Sequence, residues 1–227
     1  MSKIILWFVL ITIAVFPQTY RVEKLNGKVK VLNKGSEQWQ DLKQSDEITG
    51  NTIISTDKNS SVRLKNDDVS FTLRESSAIS TSNIKKMSID ELILALAMQN
   101  VLDAPRNKEN KNSESTKVYG EKLTGESLNL IKSNDFGIKR LNGAKQLAES
   151  GFRESAVIAA KEIYRKYPET KKDAVSRIYF ADIMNQLGLY EEAYDEFKEI
   201  KSLNLNQGQI GYVTEKLDQI GKKLIKQ

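Results

Sequence analysis

Two stretches carry a serine three residues ahead of a lysine: Ser55-Thr56-Asp57-Lys58 and Ser82-Asn83-Ile84-Lys85. On a helix that spacing lets an amine reach a hydroxyl and take its proton, as in a serine nucleophile served by a lysine base. Neither stretch has the S-D-N or K-T-G companions of such a site, and the first lies in a β-turn context. Both read as chance spacings. The chain has no His and no Cys. Thiol catalysis, imidazole acid–base chemistry, disulfides and the usual zinc ligands are therefore excluded. No G-x-S-x-G elbow, P-loop or dinucleotide glycine run occurs. Carboxylates remain. Glu191, Glu192, Asp195, Glu196 and Glu199 read as the solvated face of a helix rather than a metal site, and Asp67-Asp68 reads as a turn. These residues propose no reaction, so a non-enzymatic binding protein with no cofactor and no metal is expected.

The elements must then be read for the surfaces they present. A chain of 227 residues with 39% hydrophobic content can bury a core, in one domain or two small ones. Two are expected, because the patterning changes character midway. The formal charge of +5 is spread thinly along the chain and not gathered into a phosphate-tracking stripe. Nucleic acid is not an expected partner.

Lys3 precedes an apolar run from Ile4 to Phe16, ended by Pro17. As a helix, at about 1.5 Å per residue, the run would be about 20 Å long, short of a bilayer core of about 30 Å. Residues 1–19 are therefore read as a secretory signal peptide, which puts the mature protein in the periplasm or outside the cell. An uncleaved signal anchor is the alternative, and only then is the chain held at a membrane.

Residues 21–83 change to short alternating runs broken by turn residues. Lys28-Val29-Lys30-Val31 follows the tight-turn pair Asn26-Gly27, and Val62-Arg63-Leu64 and Val69-Ser70-Phe71-Thr72-Leu73 flank a polar turn at Asn66-Asp67-Asp68. Closely spaced short strands of this kind predict a small all-β sandwich or roll. The order Gly27-Lys28-Val29, Trp39-Gln40-Asp41-Leu42, Ile48 to Thr56, Ser60-Ser61-Val62-Arg63-Leu64 and Val69 to Ser77 resembles the FecR domain. It departs from that family where Asp68 replaces the hairpin glycine and Ser45 replaces the glycine before Asp46. The resemblance implies an extracytoplasmic β-domain that binds something in the envelope. The sigma-factor relay of the founding members is not expected here, because three residues precede the apolar run.

Residues 84–104 are read as an apolar helix opened by a capping box at Ser88-Ile89-Asp90-Glu91, its all-round apolar surface packed on the β domain or on a second chain. Residues 105–136 are read as a flexible linker, since Arg106 to Ser115 holds no apolar residue.

Residues 137–227 contain two runs that superpose at a spacing of 37: Gly151, Ala156, Ala160, Ile163, and Gly188, Ala193, Phe197, Ile200. Ala144 and Ala181 match at the same spacing. These offsets resemble the tetratricopeptide repeat, stretched by three residues near Glu169-Thr170-Lys171 beyond the usual period of about 34. Ile210, Val213, Leu217, Ile220 and Leu224 form one helical stripe, read as a capping helix with a coiled-coil dimer as the alternative. The resemblance implies that first-helix side chains line a concave groove: Val175, Ile178, Asp182, Asn185 and Gln186 in one hairpin, and Ile138, Leu141, Lys145 and Glu149 in the other.

The expected architecture is α+β in two modules, a small FecR-like all-β sandwich or roll followed by a tetratricopeptide-like array of α-helical hairpins. The expected function is extracytoplasmic binding or scaffolding of a protein or peptide partner in the bacterial envelope, two weak surfaces gaining avidity through the spacer. Oligomeric state is left open. A membrane-anchored FecR-type signalling regulator is the alternative. A third class, an envelope hydrolase built on carboxylates, predicts paired acids in a deep cleft near the β-unit.

Overall fold

A computed structural model describes residues 18–36, 38–103 and 133–226. The apolar run at the N-terminus lies outside the described residues, as do residue 104 of the expected apolar helix and residues 105–132 of the expected linker. The chain begins with β1 (Thr19–Asn26), β2 (Val29–Leu32), β3 (Gln40–Asp41), β4 (Glu47–Thr49), β5 (Ile53–Thr56), β6 (Ser61–Lys65), β7 (Ser70–Leu73) and β8 (Ala78–Ser80). They form two four-stranded antiparallel sheets, β4-β1-β6-β7 and β3-β2-β5-β8. Because side chains alternate across a strand, Tyr20 and Val22, Val62 and Leu64, and Phe71 and Leu73 all enter the core. Val29, Val31, Ile54 and Ile79 enter it from the other sheet.

Turn chemistry joins the strands. Gly27 adopts φ +72°, and a Cβ there would come within 2.4 Å of Ser60 Oγ, the atom that accepts from Lys28 N. At the β6–β7 hairpin, Asn66 Oδ1 accepts from the amides of Asp68 and Val69. Ser45, where the resemblance calls for glycine, takes a left-handed φ of 71°, a conformation that costs a residue bearing a Cβ.

The expected start of the β-unit at residue 21 is corrected to Thr19. Tyr20 is fully buried and its hydroxyl donates to the Ile84 carbonyl at 2.5 Å, which ties the first strand to the end of the β-unit.

Six helices follow among the described residues. The first, α1 (Ile89–Asp103), opens with the expected capping box: Glu91 N donates to Ser88 Oγ, and Ser88 N to a Glu91 carboxylate oxygen. The next are α2 (Asn134–Glu149), α3 (Arg153–Lys166) and α4 (Ala174–Gln186), with a 3-10 helix at Pro168–Lys172 ahead of α4. Then come α5 (Tyr190–Ile200) and α6 (Gln207–Leu224). None is long and apolar enough to cross a membrane.

The two glycines at the 37-residue spacing end α2 and α4 in the same way. Gly151 and Gly188 take φ of +91° and +82°. Phe152 N bonds back to Leu147 O and Leu189 N to Met184 O, each the six-to-one bond of a Schellman motif. The matching alanines Ala144, Ala181, Ala156 and Ala193 are all buried. Each lets neighbouring backbones approach where α2 meets α3 and α4 meets α5. The inserted residues near Thr170 fold as the 3-10 helix, and buried Thr170 packs over Gly137, where a Cβ would meet its Cγ2 at 2.8 Å.

Three expectations are corrected. First, α1 lies mainly along α3, not on the β domain, and buries only Leu92 and Leu96. Second, α2 starts at Asn134, within the expected linker, because Ser133 caps it by accepting from Phe136 N and Phe136 is buried. Third, the helical part is docked on the strands and not held apart on a tether. Gly143 sits where a Cβ would meet the Ala78 carbonyl oxygen at 2.1 Å, so α2 touches the backbone of β8. Around it Gln146 Oε1 accepts from Arg74 N, Gln146 Nε2 donates to Ser77 Oγ, and Asn142 Nδ2 donates to the Ser76 carbonyl. Lys139 meets Asp57, and Trp39 packs edge-on against Phe136 at 5.8 Å. Strands and helices share one continuous core.

Candidate functional site

The predicted groove is built in part. Helices α4 and α6 flank a shallow, open concavity of about 510 Å³, lined by Val175, Ile178, Tyr179, Asp182, Gln209 and Tyr212, among others. Amphipathic α6 makes this wall. Its stripe turns Val213 and Ile220 into the core, and Asn206 starts the helix with a reciprocal capping box to Gln209. Val175, in the lining of the concavity, is 61% exposed.

Polar bonds hold the groove's shape. Tyr212 Oη donates to Asp182 Oδ2 at 2.6 Å, and Lys216 Nζ meets Asp182 Oδ1 at 2.8 Å. Burial together with the bond to Asp182 raises the Tyr212 hydroxyl above its ordinary pKa. Burial alone would lower Lys216, and its bonds to Asp182 and Tyr212 outweigh that, so it stays a cation to higher pH than usual. Tyr179 Oη reaches the Lys145 carbonyl at 3.4 Å, joining α4 to α2.

Of the expected groove residues, Val175, Ile178 and Asp182 come together here. Asn185 lies one turn further along α4 and accepts from Lys223, and Gln186 is exposed at the helix end. Lys145 and Glu149 lie outside the concavity, where Glu149 pairs with Arg74 of the β-unit. Ile138 is exposed, whereas Leu141 is core, because α2 is covered by α3 on one side and by strands on another.

A second, polar cleft escaped the sequence reading. It holds about 330 Å³ between α1, α3, the 3-10 helix, α4 and α5. At its floor Glu196, 5% exposed, receives Lys161 Nζ at 2.6 Å and Arg177 Nε at 2.5 Å. Arg177 Nη2 also reaches Glu199 at 2.7 Å. Burial pushes the Glu196 carboxyl up, but Lys161 and Arg177 together hold it below its ordinary range. Burial likewise opposes the Arg177 charge, and the two glutamates restore it. The expectation of a wholly solvated acidic face is corrected at Glu196. Its position was legible, since Ala193, Glu196, Phe197 and Ile200 fall at steps of 3, 1 and 3 on the buried face of α5.

The two Ser-x-x-Lys spacings assemble nothing. Ser55 is a strand residue paired across to Lys30 and Ala78, with Lys58 in the turn beyond. Ser82 lies in a 3-10 turn and shares a hydrogen bond with Ser80. Among the described residues no group of three or more acidic side chains is placed to hold a metal ion. Comparison with protein-family models, with curated proteins and with solved structures finds no match for this chain.

Proposed function

We propose that the chain is a non-enzymatic binding protein of the bacterial envelope, its strands a FecR-like module and its helices a tetratricopeptide-like one. The α4–α6 groove grips a peptide segment of a protein partner. The observation that carries this reading is an apolar concavity with open aliphatic walls on a frame locked by the Asp182–Tyr212–Lys216 bonds. A preformed groove spends less of its binding energy on ordering itself. Its occupant is a segment presenting at least one large apolar side chain to Val175 and Ile178. Docking of α2 on the strands replaces the tethered-avidity mechanism with a single body that presents the groove at a set orientation to the β-unit.

The test is selection of displayed random peptides on the purified protein, with Val175→Glu as the counter-screen. Enriched sequences sharing an apolar anchor and lost on the variant support the reading. Sequences retained equally by the variant refute it. Location is tested by N-terminal sequencing of exported protein, with a start at or before Thr19 expected, since Tyr20 belongs to the core. Retention of residues 1–17 in a membrane fraction would favour the anchored FecR-type regulator.

A further inference from the structure

The cleft above Glu196 holds polar groups that the ion pairs leave unused. Tyr164 lines it and is 4% exposed, yet its hydroxyl has no hydrogen-bond partner. A buried hydroxyl without a partner destabilises a fold, so it is kept where something else meets it. Burial, and next the Glu196 carboxylate, hold this hydroxyl protonated well beyond the ordinary tyrosine range, so it is present as a donor. Lys171, at the mouth, forms no ion pair among the described residues. The Asn100 amide of α1 lies on the facing wall.

Charge narrows the ligand. Lys161, Lys171 and Arg177 set three positive charges against the two of Glu196 and Glu199, leaving one. Glu196 already receives both Lys161 and Arg177, and Arg177 spends its fork on the two glutamates. The group free to act is therefore an ammonium at the mouth with a buried hydroxyl donor behind it. A dianion such as phosphate would meet two carboxylates with only one surplus cation. A monoanion would meet a surplus of donors.

We propose that this cleft binds a small monocarboxylate, with the carboxylate on Lys171 and the Tyr164 hydroxyl donating to the carboxylate or to a carbonyl beside it. The volume, about 330 Å³, is at the small end of ligand sites. A short organic acid and the free C-terminus of a peptide share this chemistry.

The experiment titrates the full chain with N-acetyl-alanyl-alanine, with its C-terminal amide and with lactate, read by amide chemical shifts and by calorimetry. The free acid or lactate is expected to saturate shifts at residues lining the cleft, and the amide to bind at least about tenfold more weakly. Preference between dipeptide and lactate distinguishes the two sources. Lys171→Met and Tyr164→Phe are each expected to weaken the acid roughly fivefold or more, with the melting temperature held in the first and held or raised in the second, which sheds an unpartnered buried hydroxyl. A hydroxyl that only packs would leave binding unmoved on loss of its oxygen. Equal binding of acid and amide, unchanged affinity in Lys171→Met, or a cleft filled by water alone would overturn the proposal. The cleft shares no lining residue with the α4–α6 groove, so either site can fail without the other.

Discussion

Replacing Glu196 by glutamine removes one charge from the floor of the polar cleft and almost nothing else. The change strands Arg177, itself buried, with only the exposed Glu199 as carboxylate partner, and leaves Lys161 without its ion pair. Removing one member of a buried pair costs about 3–5 kcal/mol, because the other charge stays desolvated. Glu199 and the amide oxygen of the new side chain soften the loss, so the low end, about 3 kcal/mol, is expected. Urea unfolding reads it as a lower midpoint at unchanged slope. The pH dependence carries a second check. The folded-state pKa of Glu196 lies below the ordinary 4.5, so the wild type gains stability that is complete above about pH 4.5 and lost as pH falls through the folded value. The gap between wild type and Glu196→Gln should therefore be level from pH 7 to about pH 5 and close below it. Glu191→Gln, on the exposed side of the same helix, is the control, with a change within about 0.5 kcal/mol. A loss under about 1 kcal/mol, or a gap that ignores pH, would refute the buried network.

The remaining predictions concern the frame. Gly143→Ala drives a methyl into the Ala78 carbonyl, and overpacking of this kind costs about 1–3 kcal/mol; urea unfolding measures it, with the loss of Arg74 amide protection by hydrogen exchange as its local signature. Gly188→Ala meets open space but is forced to hold φ +82°, so thermal unfolding should show a loss of about 1 kcal/mol with no change in the β-unit. Asp182→Asn should loosen the groove by weakening the bonds from Tyr212 and Lys216, lowering affinity for a selected peptide by roughly tenfold while the strands stay intact.

Local signals were easy to read, and long-range ones were not. Alternation in Val62-Arg63-Leu64, the Asn66 turn, the Ser88 capping box and the paired glycines 151 and 188 act within a few residues, so their consequences are written in consecutive letters. The partner of a surface is not written that way. The apolar circumference of α1 asked for burial without saying that α3 would supply it, and the helix still leaves Leu94, Met98 and Val101 exposed. Gly143 drew no reading from the sequence, since only the approach of β8 gives its missing Cβ a purpose. Ser133 fell inside the stretch read as linker although it is the cap of α2, because a cap and a loop use the same residues. Around the concavity lie Val175, Ile178 and Asp182, which the tetratricopeptide resemblance implied, together with Tyr179 and Tyr212, which it did not. Tyr212 enters from α6, whose angle to α4 no local pattern encodes.

The groove itself is tested most directly by titrating labelled full-length protein with a selected peptide and mapping the amide shifts. The expected result is saturable shifts confined to α4, α6 and the turn at Asn206, abolished by Val175→Glu at an unchanged melting temperature. Shifts centred on the strands or on α1, or a Val175→Glu protein that binds as the wild type does, would contradict it.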